Sequence, residues 1–299
     1  MDSYTVTALS KGLNPWGIYK NEIIGLDKNY HLVIGKDVIV LPFKPAPSGI
    51  ASLYSQYFTK PVSLKMSFND NSNVICVWME STDKIEWCFV KDRTIFYQNS
   101  IVPNKSTTSV IPSAPSVSPL LKASGLYNGM FGIQGSGVWE YDKMVQDKFD
   151  FHLDGITADG QVVYHDDNII YKGSTVYYQC QPQSTSAKSN YANVLVNEDV
   201  IAFALNSTSE VYIGFDKLVE QAKKIDCFHG DNIMLDGRVY NYKMKTFQDC
   251  YLVPDAKSTD KLVVKNNILY RSFGDIICKL AKNQQPCSSS SSLFPSYIA

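Results

Sequence analysis

Asn193-Val-Leu-Val196, Asn197-Glu198-Asp199, Val200-Ile-Ala-Phe203: apolar runs of three and four residues, the first opened by Asn193, meet around three polar ones. Runs this short, rich in Val, Ile and aromatics and stopped by turn residues, read as strands. The polar residues between them tolerate φ > 0, which a tight reversal needs. The stretch is a hairpin, and its grammar recurs along the chain. Lys261-Leu-Val-Val-Lys265 meets Asn266-Asn267 and then Ile268-Leu-Tyr270. Ile225-Asp-Cys-Phe-His229 meets Gly230-Asp231-Asn232 and then Ile233-Met-Leu235. Tyr30-His-Leu-Val-Ile34 meets Gly35-Lys36-Asp37 and then Val38-Ile-Val-Leu41.

Three further copies follow the same pattern. Met66-Ser-Phe68 and Val74-Ile-Cys76 flank Asn69–Asn73, Leu126-Tyr127 and Met130-Phe131 flank Asn128-Gly129, and Gly155-Ile-Thr157 and Val162-Val-Tyr164 flank Asp159-Gly160. One turn residue from each copy falls at 36, 71, 128, 160, 198, 231 and 267, with gaps of 35, 57, 32, 38, 33 and 36. The long gap contains residues 103–124, rich in Pro, Ser and Thr, which reads as an insertion. One such unit buries a single face; stacking buries both, and closing a ring removes the exposed edges. The chain therefore resembles the β-propellers as a class: an all-β, propeller-like ring of about seven small antiparallel blades, with residues 4–9 supplying a closing strand. A pair of β-sandwich domains is the alternative, but it predicts no constant period. Neither the Gly-His…Trp-Asp signature nor a diglycine repeat occurs, so no one propeller family is indicated. The domain spans 1–287, followed by a Ser-rich tail at 288–299.

Two segments read as short connecting helices. Residues 48–58 place Ile50, Leu53, Tyr54, Tyr57 and Phe58 at helical spacing behind Ser48, and Phe215–Lys224 reads as a helix capped by Asp216. In the tail, Leu293, Phe294, Tyr297 and Ile298 form an apolar tip on a flexible tether, the composition of a partner-docking peptide.

Charge narrows the function. The net charge is −1, and Arg93, Arg238 and Arg271 are the only arginines among 28 basic residues. Bidentate recognition of phosphate or guanine depends on the guanidinium fork, so nucleic acid is not expected as a partner. No apolar run is long enough to span a bilayer, and the first residues lack a secretory signal. Seven scattered cysteines without a C-x-x-C pair fit reduced, mostly buried thiols. The expected location is the cytoplasm or a virion.

Candidate chemistry is sparse. His152, Asp154, Asp159, His165, Asp166 and Asp167 form the densest polar cluster. Asp154, Asp159, His165 and Asp167 are of residue types that suit a divalent metal, although the same Asp and Gly residues are what hairpin turns require. Gly132-Ile-Gln-Gly135-Ser-Gly137 has the letters of a phosphate loop but is not followed by a helix. No G-x-S-x-G elbow occurs, and no cofactor is expected. Trp16 and Trp139, with Trp78 and Trp87, are candidate ligand-stacking residues if they lie on loops; otherwise they belong to the core. The sequence thus points to a non-enzymatic interaction or assembly scaffold that holds a protein partner or self-assembles, a virion or phage component being one form. A carbohydrate-binding or glycan-processing propeller is the alternative.

Overall fold

The computed structural model describes residues 6–43, 63–102, 122–147, 152–180, 190–247 and 261–281, apart from residues 12, 21, 28, 30, 82, 83, 237, 266, 267, 274 and 275. Within them lie seven four-stranded antiparallel sheets and no helix. Sheet 1 is β2 (Leu13–Tyr19), β3 (Glu22–Asp27), β4 (Leu32–Ile34) and β5 (Asp37–Ile39). Sheet 2 is β6 (Ser63–Ser67), β7 (Val74–Glu80), β8 (Ile85–Lys91) and β9 (Thr94–Ile101). Sheet 3 follows with β10 (Ala123–Leu126), β11 (Met130–Ile133), β12 (Gly137–Glu140) and β13 (Lys143–Gln146). Sheet 4 holds β14 (His152–Ile156), β15 (Val162–His165), β16 (Ile169–Lys172) and β17 (Thr175–Gln179). Sheet 5 holds β18 (Tyr191–Asn197), β19 (Val200–Leu205), β20 (Glu210–Ile213) and β21 (Asp216–Gln221). In sheet 6, β22 (Ile225–His229), β23 (Asn232–Leu235) and β24 (Arg238–Asn241) precede a two-residue β25 (Thr246–Phe247). Sheet 7 joins β26 (Lys261–Lys265), β27 (Ile268–Phe273) and β28 (Ile276–Ala281) to β1 (Val6–Lys11), which pairs antiparallel with β28. The first strand of the chain thus completes the last sheet, at the place the alternating residues 4–9 suggested.

Every hairpin read from the sequence is present, but one is out of phase. In six sheets the turn lies between the first and second strands, whereas Gly35-Lys36 joins the third and fourth strands of sheet 1. The in-phase turn of sheet 1 follows Tyr19, and the spacing from Lys20 to Asn71 is 51 residues, not 35. β2 escapes the sequence pattern because Pro15 and Gly17 interrupt its apolar run. Its pairing with β3 accommodates them through a register shift between Pro15 and Gly17. The chain therefore has two long connections, before β6 and before β10, and the near-35 spacing holds only from sheet 3 onward.

The helix expected over Phe215–Lys224 is instead β21. Gly214 takes φ 63° and with Phe215 forms a two-residue reversal that closes Ile213 against Asp216. Pairing with β20 then takes up the backbone, and Leu218 and Glu220 alternate as half-buried with exposed Lys217, Val219 and Gln221. A period of two has overridden the helical reading of the same letters. The other expected helix, residues 48–58, lies outside the described residues.

The described chain divides into two compact units: most of sheets 1, 5, 6 and 7 in one, and sheets 2, 3 and most of 4 in the other. Within each unit the first strands lie beside one another. In the first, β18 neighbours β22, β22 neighbours β26 and β26 neighbours β2. In the second, β10 touches both β6 and β14. Cores form between these successive sheets. Trp87 stacks on Phe131 with ring centroids 4.3 Å apart, joining sheets 2 and 3, with Cys76, Phe89 and Ile133 fully buried around them. Ala202, Val211, Ile225 and Ile233 do the same between sheets 5 and 6.

Candidate functional site

The polar cluster predicted around His165 forms on the first two strands of sheet 4. His152 and His165 are cross-strand partners, so antiparallel register brings together two histidines thirteen positions apart. Their rings stack with centroids 5.1 Å apart. His165 Nδ1 lies 2.7 Å from Asp154 Oδ2, and the two side chains are 11% and 6% exposed. Burial pushes the Asp154 carboxyl above its usual range, while the His165 hydrogen bond and the charges of His165 and Lys122 pull it back. An imidazole held by a buried carboxylate is an oriented proton carrier. Here it also ties β14 to β15 through their side chains.

The remaining members of the cluster go elsewhere. Asp159 accepts a short hydrogen bond from the Thr157 hydroxyl and pairs with Lys172 Nζ at 3.3 Å. The Thr157 bond holds its carboxyl below the ordinary value; slight burial opposes this and Lys172 adds to it. Asp166 interacts with the phenol of Tyr171, and the Asp167 carbonyl accepts the Asn190 N–H at 3.0 Å. Asp154, Asp159, His165 and Asp167 are therefore not gathered on one point, and the described residues contain no group of three or more His, Cys, Asp or Glu able to hold a metal ion. Asp159 does what turn chemistry asks of it.

The tryptophans stand on strands rather than loops. Trp78 and Trp87 are 6% and 2% exposed in β7 and β8, in the core between sheets 2 and 3. Trp139 in β12 is half-buried, 6.1 Å from Trp87, so one face of its ring is used in packing. The side chain of Trp16, and Leu293, Phe294, Tyr297 and Ile298, lie outside the described residues.

Two features lie beyond the turn pattern. The third strands repeat a fully or nearly buried aliphatic residue followed by an aromatic: Val138-Trp139, Ile170-Tyr171, Val211-Tyr212 and Val239-Tyr240. The aromatics face second-strand partners in register, as in Phe131–Trp139, Tyr164–Tyr171 and Phe203–Tyr212. The latter two pairs stack at 4.9 Å. This pair is a sequence signal that the turn-based reading passed over.

The second feature is a set of exposed apolar side chains on or beside the fourth strands. Val38 and Val40 mark β5, Phe96 and Val102 mark β9, and Met144 and Val145 mark β13. Val176 follows on β17, Phe215 in the turn before β21 and Val219 on β21, the last two 83% and 96% exposed. Each of these strands is the edge of its sheet. Exposed and half-buried residues alternate throughout β9, although the letters Thr-Ile-Phe-Tyr-Gln-Asn-Ser-Ile do not alternate between polar and apolar.

No family model matches the chain, and no curated protein matches it. Among solved structures, the crystal structure of BBS1N in complex with ARL6DN, soaked with mercury, is similar at a TM-score of 0.43 and 12% identity, over 96% of this chain and 94% of that one.

Proposed function

We propose that the chain is a non-catalytic protein-interaction scaffold, its seven sheets forming the blades of one propeller-like ring and its partners held on the outer strands. Two arrangements support the ring. First strands lie side by side within each unit, and β1 completes the sheet of β26–β28, the kind of pairing that closes a ring between the chain's two ends.

One observation carries the interaction reading: every fourth strand from β5 to β21 bears at least one large exposed apolar side chain at what is, among the described residues, the edge of its sheet. A single exposed valine needs no explanation. The same choice recurs at equivalent positions of five sheets, and exposed apolar side chains are the material from which interface cores are made.

The test compares the wild-type chain with a variant carrying Val176→Ser and Val219→Ser, both exposed at the outer strands, with the melting temperature of each form measured beside it. Proteins captured from source cells are identified, and each is then purified and titrated directly. The expected result is a partner whose affinity falls about tenfold or more, as for loss of interface anchor residues. Equal affinity of all captured proteins for both forms overturns the reading.

A further inference from the structure

Asn128-Gly129 is the chain's one Asn-Gly pair, and it sits in the turn that joins β10 to β11. Glycine has no side chain to shield its own backbone nitrogen, so the amide carbon of an asparagine before it is open to attack. The reaction needs only water. The Gly129 nitrogen gives up its proton and bonds to Asn128 Cγ; the Cγ–Nδ2 bond breaks and ammonia leaves. Water then opens the cyclic imide at either carbonyl, giving aspartate or isoaspartate, and nothing is oxidised or reduced. Asn128 is exposed, so water and hydroxide reach it.

The folded turn occupies every group that the reaction must use. The Gly129 N–H donates to the Leu126 carbonyl at 3.0 Å, and the Gly129 carbonyl accepts the Tyr141 N–H at 3.0 Å. Asn128 Oδ1 accepts the Met130 N–H and Asn128 Nδ2 donates to the Ala158 carbonyl, both at 3.3 Å. Gly129 is buried beneath Tyr141, whose ring an added Cβ would strike. That ring is itself packed edge-on against Phe89 and Tyr97. To reach Cγ, the nitrogen must drop its hydrogen bond and the backbone must turn under a held ring.

We propose that Asn128 is the chain's site of spontaneous deamidation, closed in the folded protein and opened when this hairpin comes apart. Conversion has a structural consequence. Asn128 Nδ2 reaches from the first hairpin of sheet 3 to that of sheet 4, as Asn197 Nδ2 reaches from sheet 5 to the Gly230 carbonyl of sheet 6 at 2.7 Å. A carboxylate has no N–H and would meet the Ala158 carbonyl acceptor to acceptor. A molecule that has once converted lacks that bridge, so local opening of the hairpin leaves a lasting chemical record.

The experiment incubates the full chain in mildly alkaline buffer, folded or in guanidinium chloride, and digests it in mild acid. Mass spectrometry then follows conversion at each asparagine, and isoaspartate is measured separately. Asn128→Gln, which would have to close a larger ring, is treated identically, with circular dichroism checking its fold. In denaturant, Asn128 is expected to convert fastest of the asparagines. In the folded chain it should convert at least about tenfold more slowly, because reaction waits on local opening. The isoaspartate formed first in denaturant should be missing from Asn128→Gln. Equal rates at Asn128 in the two states overturn the proposal. So does an unfolded chain in which another asparagine converts first, or wild-type isoaspartate from Asn128→Gln.

Discussion

At Gly125 on β10 an added Cβ would lie 2.4 Å from Cys76 Sγ and 2.9 Å from the Phe131 ring. Both neighbours are fully buried, so neither has room to move. Gly125→Ala should cost about 1–3 kcal/mol by overpacking, read as a lower urea midpoint at unchanged slope. A neutral result would mean that sheets 2 and 3 sit less closely than their stacked Trp87 and Phe131 imply. A second residue-scale effect depends on pH. The carboxyl of Asp159 titrates lower in the folded chain than in the unfolded one, chiefly through the Thr157 hydroxyl. Its contribution to stability is then present above the ordinary carboxylate value and is lost as pH falls through the lowered one. Thr157→Val should return that pKa towards 3.8, measured by carboxyl NMR titration, and flatten the acid limb of stability. No change would transfer the credit to Lys172.

Hairpins set the scale of the elements, and their turns are of uneven quality. The β8–β9 connection is Asp92-Arg93, with φ 47° and 63°, closing Lys91 against Thr94. Two left-handed residues in a two-residue turn match the twist of the strands, but arginine bears a steric cost there that glycine does not. Arg93→Gly should stabilise the protein by about 1 kcal/mol, seen as a higher urea midpoint. A loss instead would show that the Arg93 side chain contributes more than its backbone costs. The same principle explains why turn chemistry located the hairpins while periodicity misread β21. Gly214-Phe215 is a reversal in the folded chain, and Leu218 and Val219 fit a helix face as readily as a strand until β20 pairs with their strand.

For the whole molecule, the ring proposal makes a dimensional prediction. A single compact body of 299 residues should have a radius of gyration of about 19 Å in dilute solution, and should unfold in one transition. Small-angle scattering and calorimetry decide this. A markedly larger radius with two separate transitions would replace one ring with two independent units.

The sequence by itself determined the all-β class and nearly every first hairpin, because these depend on short apolar runs and the φ > 0 demands of the residues between them. It brought His165 and Asp154 into view as chemistry-bearing types. It could not show that His152 would stack on His165 while Asp159 turned to Thr157 and Lys172. The pairing of β1 with β28, the phase of sheet 1 and the exposure of the fourth strands were likewise decided by tertiary structure. The physical reason is common to all of them: a turn is a local property of two to four residues, whereas register, edges and neighbours come from strands distant in the chain competing for the same backbone hydrogen bonds.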